Sequence, residues 1–307
     1  MIGSSGGRRE IGRVTLLTNP MAGHGNAPHA AERAVARFQQ LGIDVVEIVG
    51  RDAQHARSLV DGAVAAGTDA LVVVGGDGVI RLALQSLART DVPLGIVPAG
   101  TGNDHAREYG IPVGDPAAAV DVIAAGHTES TDLGLIHSAD GASTWFGTVA
   151  ATGFDSLVSD RVNRMSWPHG RMRYNVAMVA ELSQLRPLPF RLVLDGEREI
   201  VADLTLAAIG ITRTYGGGMQ ICPTADHSDG LLDITMVAAG SRFNLIRLFP
   251  TVFKGTHVDL DEVTTARART VTVACPGINA YADGDFVGPL PAEISAVPEA
   301  VNIFIRP

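Results

Sequence analysis

The chain has 307 residues, room for two modest domains, and a hydrophobic share of 46% that supplies a core and excludes a disordered polymer. Its formal net charge of −9 lacks the basic footprint of a nucleic-acid binder, so no nucleic-acid partner is expected. Cys222 and Cys275 stand alone, with neither CxxC nor zinc spacing, and read as buried reduced thiols.

The N-terminal stretch Met1 to Glu10 is rich in Gly and Ser and has no apolar region, so it reads as a loose tail and not as a signal peptide. Val14–Thr18 reads as a strand, Asn19–Asn26 as a Gly-rich turn and Ala30–Leu41 as a helix. Asp44–Val49 is the second strand and Ala53–Ala66 the second helix. The apolar strand Ala70–Val74 ends at Gly75-Gly76-Asp77-Gly78, and a helix follows over Val79–Ala88. Leu94–Val97 is the fourth strand; it ends at Pro98-Ala99-Gly100-Thr101-Gly102-Asn103-Asp104, before a helix at Ala117–Ala125. Apolar strands alternating with helices predict a parallel sheet covered on both faces.

Near Gly126–Asp132 the pattern changes to strands. Phe190–Leu194 and Glu199–Asp203 flank Asp195-Gly196, a hairpin signal, and Leu204–Thr212, Leu232–Val237, Thr270–Ala274 and Asn279–Ala282 also read as strands. Arg171–Leu185 reads as a helix with Met172, Val176 and Val179 on one face. These elements predict a second, mostly antiparallel domain. No run approaches the roughly 18 apolar residues of a membrane span, and a cytoplasmic protein is expected.

Three Gly-rich turns follow strands of the first domain. Glycines at the carboxyl ends of parallel strands let backbone N–H groups approach phosphate, and together the three turns suggest a nucleotide. Other nucleotide motifs fail on residues. Lys254 is the sole lysine and lies far from any such turn, which removes a Walker A loop and the strand lysine of protein kinases. The turn after the first strand does not fit GxGxxG.

Asn19-Pro20-x-x-Gly23, Gly75-Gly76-Asp77-Gly78 and Pro98-x-Gly100-Thr101-Gly102-Asn103-Asp104, taken in order, resemble the diacylglycerol kinase catalytic family of soluble lipid kinases. The likeness continues through Gly153-Phe154-Asp155, Gly217-Gly218-Met219-x-Ile221-x-Pro223-x-Ala225, Asp229-Gly230-x-Leu232-Asp233 and Asp283-Gly284-Asp285, and so covers about Val14 to Pro307. The resemblance implies a Rossmann-like nucleotide domain over 11–130, completed by a returning strand within 292–307, and a β-sandwich-like lipid domain over 131–291. It implies ATP-dependent phosphorylation of a lipid hydroxyl, most simply diacylglycerol to phosphatidic acid, at the inner face of the plasma membrane. A sphingoid-base kinase, an NAD kinase and a non-catalytic nucleotide- or lipid-binding protein are the alternatives, and a homodimer is left open.

The resemblance implies an ATP site made by Asn19, Pro20, Met21, Ala22, Gly23, Gly50, Gly76, Asp77, Gly78, Val79, Ile80, Arg81, Leu82 and Thr101. It implies a structural Mg²⁺ held by the carboxylates of Asp226 and Asp229 and the carbonyl of Leu231, an oxygen set suited to a hard cation. Asp285 stands where the family has a Glu assigned as proton acceptor, and Asp283 precedes it; Asp77 is the rival base. The plainer alternatives are a turn carboxylate for Asp77, a helix cap for Thr101, and capping by Asn103 and Asp104. Asp226 and Asp229 read alternatively as an ordinary loop, with His227 solvated. Asp283 and Asp285 alternate across a glycine and would share one face of an extended chain. From Asp160 to Arg191 six arginines face only Asp160 and Glu181, with Met165, Trp167 and Phe190 interleaved, a pattern suited to an anionic membrane. Trp145, Phe146 and the apolar face of Arg171–Leu185 are candidate walls of a lipid pocket.

Overall fold

The computed structural model describes residues 7–18, 26–165, 167, 171–184, 186–240 and 242–307, without the side chains at 171–175, 182, 242 and 244. Asn19, Pro20, Met21, Ala22 and Gly23 of the expected nucleotide site lie outside the described residues.

The first half alternates β1 (Arg13–Thr18), α1 (Ala27–Gln40), β2 (Asp44–Val49), α2 (Ala53–Ala65), β3 (Ala70–Gly75), α3 (Asp77–Leu87) and β4 (Leu94–Pro98), then the short α4 (Asp104–Glu108) and α5 (Pro116–Ala124). The strands run parallel in the order β2-β1-β3-β4. Every residue of β3 is buried, as expected of a central strand covered on both faces. Helix α1 turns Ala27, Ala30, Ala31, Ala34 and Phe38 inward, a helical stripe. Helix α2 starts where the Asp52 carboxylate accepts the N–H of His55 at 2.8 Å.

The second half holds β5 (Thr128–Ser138), β6 (Ser143–Phe146), β7 (Val149–Gly153), α6 (Phe154–Arg164), α7 (Arg171–Ser183), β8 (Leu188–Leu194), β9 (Arg198–Gly210), β10 (Leu232–Ala238), α8 (Arg242–Val252), β11 (Val263–Ala268), β12 (Thr270–Ala274), β13 (Asn279–Ala282), β14 (Asp285–Pro289) and β15 (Ala292–Phe304). Apart from the pairing of β15 with β4, its strand pairs are antiparallel. Strand β15 runs antiparallel to β12 and β5 and meets β4 in parallel at Ile303–Leu94, so one continuous sheet links the halves. The bulge between Val297 and Val301, with Glu299 at φ 50°, lets β15 change course.

Two expectations change. Glu199–Asp203 and the Leu204–Gly210 part of the next expected strand form one strand, β9, which ends before Ile211 and Thr212. Its first residues pair only with β8 and alternate toward solvent, whereas its later residues lie between β7 and β10 and are all buried. The shift from half-covered to fully covered mimics a boundary. In α7 the face read from Met172, Val176 and Val179 is exposed at its described side chains: Val176 and Val179 are 44% and 66% exposed, and Ala177 is the buried residue.

Candidate active site

The parallel register places Gly75 opposite Pro98, so the turns after β3 and β4 leave the sheet side by side. They touch through backbone. A Cβ on Gly100 would lie 2.4 Å from the Gly76 Cα, so only glycine fits there. Asn103, left-handed at φ 54°, closes the second turn: its Oδ1 accepts the Gly100 N–H at 3.0 Å and its Nδ2 donates to the Gly100 carbonyl at 2.9 Å. Asn103 is also the N-cap of α4, but its side chain makes no capping bond. Thr101 is exposed and precedes that position, so it is not the cap.

Asp77 opens α3 at the mouth of these turns. Its Oδ1 accepts the backbone N–H of His105 at 3.2 Å and lies 3.1 Å from His105 Nδ1. His105 is fully buried, and its Nε2 has no partner among the described residues. A Cβ on Gly147 would lie 2.5 Å from that nitrogen, so the glycine makes room for the ring. Burial pushes the Asp77 carboxyl up, but the hydrogen bonds and charge of His105 outweigh it and hold the carboxyl below its ordinary range. Burial likewise opposes the charged His105, yet Asp77 and Asp283 raise its value overall. His105 escaped the sequence reading because its burial depends on contacts with the second half. Its only local signal is a histidine adjoining Asp104.

Asp104 neither caps a helix nor faces open solvent. Its two oxygens accept the N–H groups of Gly217 and Gly218 at 2.8 and 2.7 Å, tying α4 to the second half. Both glycines adopt positive φ, 88° and 104°, which favours glycine and presents successive amides to one carboxylate.

Asp283 and Gly284 have φ of 49° and 86°, as a type I′ hairpin turn requires, so Asp283 and Asp285 do not alternate along an extended chain. The buried Asp283 accepts from Gly147 N at 2.9 Å, Thr148 N at 2.8 Å and Thr148 Oγ1 at 2.5 Å, pinning the hairpin to the segment before β7. Asp285 stays half exposed and reaches back to α3. Its Oδ2 is 3.6 Å from Arg81 Nη1 and 3.5 Å from where a Cβ on Gly78 would stand. Burial raises the Asp285 pKa; Arg81 opposes this and Asp283 adds to it.

Among the other expected contacts, Val79 and Ile80 are buried in the core of the first half and Leu82 packs against it, so they can offer backbone only. Gly50 abuts α2: a Cβ there would lie 2.4 Å from that of Ala56. Asp226 Oδ1 accepts from Ser228 N and Oγ at 3.0 and 2.7 Å. Asp229 accepts the Leu231 N–H at 3.0 Å and pairs with Arg267, whose Nε also donates to Asp233 at 3.0 Å. Arg267 thus already brings positive charge to Asp229. Among the described residues no three His, Cys, Asp or Glu side chains are gathered to hold a metal ion. The loop as arranged does not fit a divalent cation unless Arg267 is displaced. His227 is not solvated: it lies 3.5 Å from both Glu108 and Glu129 and packs edge-on against Tyr109.

An apolar cavity of about 170 Å³ lies between α6, α7, α8 and β9. Phe154, Met178, Leu206, Met219, Ile246 and Phe249 are among its walls. Asp155 supplies a polar point, hydrogen-bonded by Tyr215 Oη, and burial raises its carboxyl to about 6. Two expected walls are elsewhere. Phe146 is fully buried in the second core, and Trp145 is held by Gln85 of α3 through bonds of 2.8 and 3.0 Å. Phe190, expected on a membrane face, is also fully buried.

A parallel α/β half with Gly-rich turns, joined to an antiparallel half, is the architecture of two-domain lipid kinases. A solved structure of a diacylglycerol kinase from Bacillus anthracis superposes with TM-score 0.72 at 19% identity, covering 98% of this chain and 99% of that one. Residues 13–136 match the diacylglycerol kinase catalytic domain, and residues 148–305 match the YegS C-terminal NAD kinase beta sandwich-like domain. A protein named diacylglycerol kinase from Mycobacterium tuberculosis is 68% identical over 300 residues, 98% of this chain and 97% of that one. A Bacillus subtilis protein of the same name is 25% identical over 285 residues, 92% of each chain. The chain belongs to the diacylglycerol kinase family and is a lipid kinase.

Proposed function

We propose that the protein transfers the γ-phosphoryl group of ATP to the free hydroxyl of diacylglycerol, giving phosphatidic acid and ADP, on the cytoplasmic face of the membrane. Residues 11–130, completed by 292–307, bind the nucleotide, and 131–291 bind the lipid. The observation that carries this reading is the approach of Asp285, from the second half, to Gly78 and Arg81 at the start of α3. It sets a proton acceptor beside the phosphate-type turns. The apolar cavity in the same half suits an acyl chain and not a second nucleotide.

The N-terminus of α3, the Thr101 hydroxyl and Arg81 would receive the phosphates, with the Asn103-closed turn holding the backbone in place. Asp285 takes the proton of the attacking hydroxyl, and Asp283 positions its hairpin. Mg²⁺ accompanying ATP would supply charge neutralisation in this loose, in-line transfer. Radiolabelled ATP with mixed micelles of diacylglycerol or a sphingoid base, and with NAD in solution, tests the assignment. Label is expected in phosphatidic acid. Preferential labelling of the sphingoid base or NAD would refute the choice of acceptor.

A further inference from the structure

We infer that α8 and the adjoining Phe253 form a membrane-inserting surface, and that the apolar cavity opens through it, so that lipid enters directly from an anionic bilayer. The inference rests on the reading that the acceptor is a membrane lipid.

Helix α8 presents a row of large apolar side chains to solvent. Phe243, Ile246 and Phe249 recur at three-residue spacing and are 73%, 57% and 40% exposed, and Phe253 just past the helix is 45% exposed. Such spacing keeps them on one helical face. Ile246 and Phe249 also line the cavity, so the exposed row and the cavity wall are continuous. Across the cavity, α7 contributes Met178 to the wall and leaves Val176 and Val179 in solvent. Apolar residues from both helices therefore wall the cavity.

Charge selects the occupant. Between Gly240 and Val258 the chain carries Arg242, Arg247 and Lys254 and no acidic residue, although the whole chain has net charge −9. Arg247 and Lys254 are exposed on this segment, and an apolar face accompanied by such cations matches anionic headgroups over acyl chains. A second copy of the chain would instead set this acid-free segment against its own like. The arginine-rich stretch nearer α6 is a weaker candidate. Arg161 pairs with Glu181 and Arg191 with Glu199, each at 2.5 Å, and Phe190 is buried. Drawing a two-chain lipid fully into water is costly, at about 0.8 kcal/mol per CH₂. A cavity that opens into the bilayer avoids that step.

The test is a variant carrying Phe243→Ser and Phe253→Ser, neither of which lines the cavity. Sedimentation is measured with phosphatidylcholine vesicles, with and without phosphatidylglycerol. Activity is measured on dioleoylglycerol in the anionic vesicles and on dissolved dihexanoylglycerol. The wild type is expected to bind the anionic vesicles and to prefer them to neutral ones. The variant should bind at least about tenfold more weakly, given the apolar area of two phenylalanines. It should lose a similar factor on dioleoylglycerol and keep its rate on dihexanoylglycerol with unchanged melting. Wild-type and variant protein binding vesicles equally would overturn the inference. So would equal loss on both substrates, or a wild-type dimer that the substitutions dissociate without altering vesicle binding. Wild-type binding to vesicles without phosphorylation of either diacylglycerol would sink the acceptor reading and leave the docking surface standing.

Discussion

If Asp285 accepts the hydroxyl proton, Asp285→Asn should lower kcat by the usual contribution of a general base, about 10²–10⁴-fold, with little change in ATP affinity. The two candidate carboxylates differ in environment. Asp77 accepts two hydrogen bonds from His105 and is held low, so a proton binds it weakly. Asp285 is raised by burial, and Arg81 is the cation that restrains it. At 3.6 Å and an effective dielectric of about 20, Coulomb's law gives roughly 4–5 kcal/mol for this pair. The Asp285 side chain is 55% exposed, and solvent screening reduces the interaction to about 1 kcal/mol or less. Arg81→Met should therefore move the acid limb of kcat upward by somewhat under one pH unit. That shift separates a proton acceptor from a group that merely shapes the hairpin. The assay is steady-state phosphorylation of dissolved dihexanoylglycerol over a pH series at saturating ATP. Near-normal kcat in Asp285→Asn, together with an Asp77→Asn variant that binds ATP but does not turn over, would assign the base to Asp77 and refute the reasoning.

Three further outcomes follow from the same geometry. His105→Phe should cost about 3–5 kcal/mol, because it takes the imidazole from a largely buried carboxylate and leaves it only backbone N–H from residue 105. The raised His105 stabilises the fold below its unfolded pKa near 6.5 and loses that contribution as pH rises through its higher folded value. Urea unfolding should thus show the largest gap between wild type and variant at mildly acidic pH; a gap that widens with alkaline pH would count against the pair. Asp155→Asn should stabilise the protein at pH 8 by up to about 3 kcal/mol, since the rise from 3.8 to about 6 is lost stability once the carboxyl ionises. The benefit should fade as pH falls from about 6 toward 3.8, and a pH-independent difference would exclude ionisation as its cause. Finally, Mg²⁺ without nucleotide should hardly change the melting temperature of the wild type, because Arg267 already pairs with Asp229. Arg267→Gln should gain Mg²⁺-dependent melting, and strong Mg²⁺ stabilisation of the wild type would refute this expectation and support a metal at Asp226, Asp229 and Leu231.

The first half was legible because its physics is local. Apolar strands such as Ala70–Gly75 and glycine turns at their carboxyl ends announce a parallel sheet without long-range information. The second half was legible in class but not in detail. β9 is one strand whose neighbours change along its length, and burial by partners distant in sequence cannot be read from its alternation. Helix α7 shows the complementary limit: spacing puts Val176 and Val179 on one face but does not say what covers it, and both face solvent while Met178 lines the cavity.

The same limit explains what was visible in the site. Gly76, Asp77 and Gly100 could be singled out because one turn's chemistry is written within a few residues. The roles of Asp104 and His105 could not, because each is set by groups from other segments: Gly217 and Gly218 for one, Asp77 and Gly147 for the other. The hairpin at Asp283 shows how a local signal can carry a distant consequence. Asp-Gly favours a type I′ turn, the turn rotates Asp283 toward the amides of Gly147 and Thr148, and that anchorage leaves Asp285 free to reach Arg81. Two carboxylates one residue apart thereby take different tasks. Asp283 holds the hairpin to the body of the protein, and Asp285 remains the half-exposed carboxylate next to the phosphate-type turns. Loss of Asp283 should accordingly displace Asp285 and lower activity without touching the substrate itself.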